Sequence, residues 1–360
     1  MAKLFKELYN EKYIDLLSCK ICVNYPQFNT KDFIKAIFTS KWKALELKQR
    51  MRHISTTLGL YLPKKYEEAI DILENTFVIM NNNYMLENMI FQDFVEVYGL
   101  NEFEISLSAL EIFTIQSSSE FAIRQFILKN EQKTMIQMQL WAKSKNEHIR
   151  RLASEGCRSR LPWAIALPLF KKNPTEIVKI LELLKDDESA YVRKSVANNI
   201  NDISKDNTQI VVDLTKRWLG FSKNRDTILK HGCRTLLKSS NMEVLKLFGF
   251  NKPVHLKVEH FTYTKNVKMG EELLFEFDIK SNLTLGKVRI EFALGFLRKN
   301  GQQNKKVFQI SESELKSSTK HIKKTYSFRP ISTRLYYQGE QTLSIIINGV
   351  VFKEVKFTLL

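Results

Sequence analysis

The sequence predicts two domains of opposite class: an all-α solenoid of HEAT-like helical repeats over residues 1–250, followed by an all-β immunoglobulin-like sandwich over residues 253–360. Three observations predict it. Up to about residue 250 the apolar residues recur at spacings of three and four with few prolines, the period of helices buried on one face. Segments within that region resemble one another. Around Asn251-Lys252-Pro253 the apolar period changes to two, the period of strands.

The helical half repeats an acid followed by Val or Ile, Arg and a second basic residue. Asn146-Glu147-His148-Ile149-Arg150-Arg151-Leu152-Ala153-Ser154 aligns with Glu188-Ser189-Ala190-Tyr191-Val192-Arg193-Lys194-Ser195-Val196-Ala197 when Ile149 is set over Val192 and Ala153 over Val196. The offset of 43 positions from Ile149 to Val192 falls in the range of HEAT-type helix pairs, which stack because one pair cannot bury its own apolar face. Arg225-Asp226-Thr227-Ile228-Leu229-Lys230-His231-Gly232-Cys233-Arg234 is a looser third copy.

In the strand half, Val254, Leu256 and Val258 alternate with His255, Lys257 and Glu259, and Phe275, Phe277 and Ile279 alternate with Glu276, Asp278 and Lys280. Val288, Ile290, Phe292 and Leu294 follow suit. Asn300-Gly301 and Asn348-Gly349 are hairpin signals, the second joining Ile345 and Ile347 to Val355, Phe357 and Leu359. About seven short strands in about a hundred residues fit the sandwich. This half has neither Cys nor Trp, so the disulfide and tryptophan of antibody domains are missing.

With 360 residues, each domain can bury a core without disulfides or metals. The 56 Lys and Arg outnumber the 39 Asp and Glu, and the net charge of +17 points to a phosphate polymer or an anionic surface. No apolar run approaches the roughly 20 residues of a spanning helix. The N-terminal Met1-Ala2-Lys3-Leu4-Phe5-Lys6-Glu7 lacks a secretory apolar stretch, and no basic amphipathic helix with a broad apolar face stands out. The expectation is therefore a cytoplasmic monomer that does not engage membranes. Cys19 and Cys22 form one close pair, in a helical pattern and without a second pair or a histidine cluster, so the cysteines read as buried structural thiols and no metal is expected. Neither a Walker loop nor a dinucleotide fingerprint is present, and no nucleotide cofactor is expected.

The chemistry concentrates between Arg150 and Trp163, where Arg150, Arg151, Arg158 and Arg160 surround Glu155 and a tryptophan closes the stretch. Arginines recurring at equivalent repeat positions would line one concave surface suited to duplex DNA. Arg150, Arg151, Arg158, Arg160, Arg193, Lys194, Lys230 and Arg234 are the candidate backbone contacts. For Arg150 and Arg193 a structural role, satisfying neighbouring carbonyls and carboxylates, stands equally open. Glu120 lies at or near a helix start, and Glu155 follows Arg151 by four residues and precedes Arg158 by three. Such spacing also suits a plain intrahelical ion pair worth about 0.3–0.5 kcal/mol. Asp202 reads equally as a helix-ending residue or a reactive one. An acid kept in a DNA-binding groove must meet something positive, and an alkylated purine is cationic, as is the sugar it leaves behind. Glu120 and Glu155 could stabilise that charge and position water. The face of Trp163 could attract the base. No general acid is then required.

At these residues the chain resembles the HEAT-like-repeat DNA alkylation repair glycosylases, in the AlkC branch with a C-terminal immunoglobulin-like domain. The resemblance runs through Ala44-Leu45-Glu46-Leu47-Lys48 with Arg52-His53-Ile54, Ser119-Glu120-Phe121-Ala122-Ile123-Arg124, Arg151 to Trp163, Tyr191-Val192-Arg193-Lys194-Ser195-Val196-Ala197-Asn198 with Asn201-Asp202, and Arg234-Thr235-Leu236. It implies excision of N3-alkylated bases, chiefly 3-methyladenine and secondarily 3-methylcytosine, from double-stranded DNA without full base flipping. By the same resemblance Glu120 and Glu155 are catalytic. It also implies that Trp163, Arg151 and Asp202 shape the lesion pocket or hold the DNA; Arg158, Arg160, Arg193, Lys194, Asn198 and Arg234 complete the expected lesion- and DNA-binding set. The family tends to have proline where Gln125 and Ser159 stand and histidine where Asn199 stands. A non-catalytic HEAT-repeat module that binds DNA or a protein is the competing expectation.

Overall fold

The computed structural model describes residues 4–80, 82–332 and 334–360. Met1, Ala2 and Lys3 of the N-terminal stretch read above lie outside the described residues. Helices α1 (Glu11–Asn24), α2 (Thr30–Ile37), α3 (Leu47–Tyr61), α4 (Tyr66–Val78), α5 (Met89–Tyr98) and α6 (Phe103–Thr114) come first. They are followed by α7 (Ile123–Lys129), α8 (Glu131–Trp141), α9 (Glu147–Gly156), α10 (Pro168–Lys172), α11 (Thr175–Leu184) and α12 (Ala190–Ile203). The last four are α13 (Thr208–Trp218), α14 (Lys223–Gly232), α15 (Arg234–Lys238) and α16 (Met242–Leu247). Side-chain caps start several of them: Asn10 accepts from the Tyr13 N–H, Asn130 from Lys133 and Asn146 from His148. Ile149 and Ala153 on α9 and Val192 and Val196 on α12 are all buried, so the repeat aligned in sequence is a repeat of core positions.

Two compact units result. The first contains the described residues of Met1–Asn207 with Ser222–Ile228, and the second Thr208–Phe221 with Leu229–Leu360. Helices α13, α15 and α16 thus belong with the strands, because an apolar helical face has no preference for a helical neighbour over a sheet.

Among its described residues the second unit has eight strands: β1 (Leu256–Tyr263), β2 (Asn266–Val267), β3 (Glu272–Ser281), β4 (Gly286–Leu297), β5 (Gln303–Leu315), β6 (Thr319–Ser327), β7 (Gly339–Ile347) and β8 (Val350–Leu359). They form a three-stranded sheet in the order β1-β3-β6 and a five-stranded sheet in the order β2-β8-β7-β4-β5. Phe275, Phe277 and Ile279 of one sheet meet Val288, Ile290, Phe292 and Leu294 of the other in a single apolar core. Val254, grouped with Leu256 and Val258 in the sequence pattern, is 81% exposed and precedes the first strand; a run of two alternations does not fix where pairing begins. Asn348 and Gly349 join β7 to β8 with φ of 46° and 78°, the two positive values a type I′ turn requires. A side chain at Gly349 would also place its Cβ 2.5 Å from Leu245 Cδ1 on α16.

The outward-facing side of β4 is buried rather than solvated. Arg289 donates to Glu291 at 2.5 Å and to Glu312, and Lys230 of α14 reaches Glu312 at 2.6 Å while lying over the rings of Phe248 and Phe250. Helical residues and strand face are therefore tied by charge within this unit. Removing one member of a buried pair strands the other in a medium that solvates it poorly. Glu291→Ala is expected to lower the unfolding free energy by about 3 kcal/mol in urea titrations; a variant as stable as the wild type would contradict this account of the sheet face.

Candidate active site

Helix α9 presents Arg151 and Glu155 one turn apart, with Ile149, Leu152 and Ala153 buried behind them. The buried Glu155 carboxylate accepts from Arg158 Nη1 through Oε1 at 2.6 Å and from the Ser195 hydroxyl of α12 through Oε2 at 2.6 Å. Arg151 Nη2 stands 3.7 Å from the same Oε1. The other end of that guanidinium, Nη1, lies 2.5 Å from Glu120 Oε2 and donates to Ser118 Oγ at 2.9 Å. Ser118 in turn donates to Glu120 Oε2 at 2.8 Å. Arg151 therefore bridges the two acids, with its guanidinium 5.1 Å from the centre of the Tyr191 ring. Glu120 sits in the turn before α7, half-buried, and its Oε1 takes no hydrogen bond from the described residues.

Arg158 is the second joint. Its Nε donates to Asp202 Oδ2 at 2.8 Å, and Asp202 Oδ1 accepts from Lys205 at 3.0 Å. Burial works to lower the pKa of Arg158, but the charges of Glu155 and Asp202 more than offset it and hold the guanidinium above its ordinary value. Asp202 is buried in the last turn of α12, where Arg158 and Lys205 take its two carboxylate oxygens.

The loop after α9 is shaped by Arg124, which is fully buried. Its Nη1 donates to the carbonyls of Gly156 at 2.9 Å and Arg158 at 2.7 Å, and its Nε and Nη2 donate to Ile165 at 2.8 and 2.5 Å. Burial pulls this guanidinium down to about 10. Within the loop Trp163 adopts φ 63°, a left-handed conformation uncommon outside glycine, and the residue is 65% exposed. Lys48 of α3 donates to the Trp163 carbonyl at 2.5 Å and stands 4.1 Å from the centre of the Phe121 ring, next in sequence to Glu120. Burial draws the Lys48 ammonium below its usual range. A cleft of about 480 Å³ opens beside it, lined by Lys48, Arg52, Asp93, Glu96 and Phe121 among others. There Arg52 pairs with Asp93 at 2.8 Å and Glu96 at 2.5 Å, and burial raises both acids.

The remaining basic candidates divide. Arg160 is half-exposed and forks onto Asp206 at 2.8 and 2.6 Å, whereas Lys194 is exposed and Asn198 half-buried on α12. Arg193 donates to the carbonyls of Asp187 and Glu188, and Arg150 to those of Ser144 and Lys145 and to the Asp187 carboxylate. These two arginines fill equivalent positions, each closing the loop before its own helix. Arg234 belongs to the second unit, where it donates to the His231 carbonyl, and Lys230 of that unit is engaged by Glu312. Asn199, at the position where the resembled family tends to have histidine, is buried and donates to the Ser154 carbonyl at 2.8 Å.

Ser118, Ser195, Tyr191, Lys48 and Arg124 belong to the site but drew no role in sequence. For Tyr191 and Ser195 the spacing of four on one helix face was an available signal. Of the four thiols, Cys157 and Cys233 are buried, but Cys19 is exposed and Cys22 half-buried, contrary to the reading of all four as core residues. Among the described residues no group of three or more His, Cys, Asp or Glu side chains is placed to hold a metal ion, and no helix is long and apolar enough to cross a membrane.

Residues 110–243 match the family model described as "DNA alkylation repair enzyme", and residues 257–360 match "Uncharacterised protein YhaZ, C-terminal Ig-like domain". YhaZ of Bacillus subtilis (strain 168) is 43% identical over 359 residues, 99% of either chain. The solved structure of Pseudomonas fluorescens alkylpurine DNA glycosylase AlkC, bound to DNA containing an abasic site analog, superposes with a TM-score of 0.93 at 31% identity, over 99% of this chain and 100% of that one. With the YhaZ and AlkC matches running over 99% of its length and the two family matches falling on the helices and the sandwich, the chain belongs to the HEAT-like-repeat DNA alkylation repair glycosylases, in the AlkC branch with a C-terminal immunoglobulin-like domain.

Proposed function

We propose that the protein is a monofunctional DNA glycosylase that hydrolyses the N-glycosidic bond of cationic N3-alkylated bases in double-stranded DNA, chiefly 3-methyladenine and secondarily 3-methylcytosine. One observation carries it: two carboxylates, Glu120 and Glu155, stand on the two ends of one guanidinium in a chain of net charge +17, with the exposed Trp163 in the loop that follows α9. Support comes also from the AlkC relative, an alkylpurine DNA glycosylase bound to DNA.

In this mechanism the bond from C1′ to the base nitrogen breaks with its electron pair leaving on the base, which neutralises the base charge. No proton need be donated to the leaving group. The positive charge moves to the sugar, where Glu120 and Glu155 stabilise it. A water held by Oε1 of Glu120, which takes no hydrogen bond from the described residues, attacks C1′ and gives up its proton to solvent through that carboxylate. Glu155, tied on both oxygens, serves as fixed negative charge. Trp163 attracts the cationic base through its ring face, an interaction worth about 0.5–2 kcal/mol. Its exposure suits a base approached at the duplex surface rather than in the deep pocket that full flipping requires. Arg158 and Asp202 fix Glu155 from below, while Lys194 and Arg160, with Arg193, Asn198 and Arg234, are the proposed DNA-backbone set.

Two variants test this. Glu155→Gln keeps Arg158 paired with Asp202, and is expected to slow release of 3-methyladenine from methylated duplex by about 10²–10³-fold while leaving duplex affinity intact; base release at the wild-type rate would refute the catalytic assignment. A non-catalytic binding module would show no release from either protein and unchanged DNA binding. Lys194→Ala is expected to weaken duplex binding uniformly and to reduce the slope of log affinity against log salt by about 0.9; an unchanged slope would remove Lys194 from the phosphate contacts.

A further inference from the structure

We infer that Phe5 is a second aromatic residue of the lesion-facing surface, forming with Trp163 a two-ring corner that receives the cationic base. The inference rests on the glycosylase reading above. The rings meet edge to face, with centroids 6.4 Å apart and planes inclined by 67°. Both are open to solvent, Phe5 at 63% and Trp163 at 65%. An edge-to-face pair leaves ring surface uncovered, so a planar base stacked on one ring presents its rim to the other. A base that carries positive charge is attracted by both ring quadrupoles, and a neutral base gains much less.

Exposed aromatic residues near a chain end are commonly loose, but the neighbours of Phe5 are fastened. Phe5 opens a 3-10 turn, Phe5–Leu8, packed beside α3. The buried Arg50 of α3 donates to the Lys6 carbonyl at 2.8 Å and to Glu7 at 3.3 Å, and Lys6 pairs with Glu46 at 2.8 Å. Tyr9 is buried immediately beyond, and Asn10 caps α1. On the opposite side, Lys48 and Arg124 hold the Trp163 and Ile165 carbonyls and so keep Trp163 in its left-handed conformation. Helix α3 therefore supplies a cation to each side of the corner: Arg50 to the segment that carries Phe5, and Lys48 to the loop that carries Trp163. Such convergence on two solvent-exposed rings stabilises no core. It fixes an aromatic surface whose Lys48 anchor also stands 4.1 Å from the centre of the Phe121 ring, next in sequence to Glu120.

The test uses the full chain and methylated duplex, with single-turnover release of 3-methyladenine measured for the wild type, Phe5→Ala, Phe5→Leu and Phe5→Tyr. Loss of a cation–ring contact is expected to slow Phe5→Ala and Phe5→Leu by about five- to tenfold and to leave Phe5→Tyr near the wild type. Trp163 supplies an independent readout, because Trp42, Trp141 and Trp218 are buried and acrylamide quenching therefore reports mainly on its ring. Duplex binding is expected to protect that fluorescence in the wild type and less so in Phe5→Ala. Wild-type rates in Phe5→Ala, or in Phe5→Leu alone, overturn the inference, the latter because bulk would then suffice without a ring. No release by the wild type overturns the glycosylase reading and this inference with it.

Discussion

The site depends on the guanidinium of Arg151. Two carboxylates placed side by side repel. The planar cation of Arg151 between Glu120 and Glu155 offsets that repulsion while fixing the line between them. Glu155 adds Arg158 and Ser195 as partners, whereas one oxygen of Glu120 takes no hydrogen bond from the described residues. The two acids are thereby made unequal by their surroundings, which is what a division into fixed charge and water-holding base requires.

Around this core the structure uses cations as fasteners more than as ligands. Arg124 closes the loop after α9 through carbonyls, Arg150 and Arg193 close the loops before their own helices, and Arg50 and Lys48 hold the N-terminal segment and the tryptophan loop. A net charge of +17 therefore overstates the charge left uncompensated at the surface. Lys194 remains exposed, whereas the buried arginines convert charge into geometry at the cost of desolvation.

Much of this was legible in sequence where the signal is local. The core positions of α9 and α12 followed from the alignment of Ile149 with Val192, and the last hairpin from Asn348-Gly349, because period and turn chemistry are properties of neighbouring residues. The grouping of Glu155 with Arg151 and Arg158 followed from helical spacing. What spacing cannot show is the partner brought from afar. Lys48 reaches Trp163 across 115 positions, and nothing in Pro162-Trp163-Ala164 marks a left-handed residue. Arg124 was visible as part of a motif, yet its role lies in carbonyls that carry no sequence signature. The grouping of α13, α15 and α16 with the sandwich was hidden for the same reason: a helical period says that a face is buried and not what buries it.

The most direct test of the Arg151-bridged pair is a double-mutant cycle on single-turnover base release from methylated duplex, using Glu120→Gln, Glu155→Gln and the double variant. If the two acids act as one unit, the losses are far from additive, and the double variant is little slower than the worse single variant. Losses that multiply independently, or a single variant at the wild-type rate, would contradict the account.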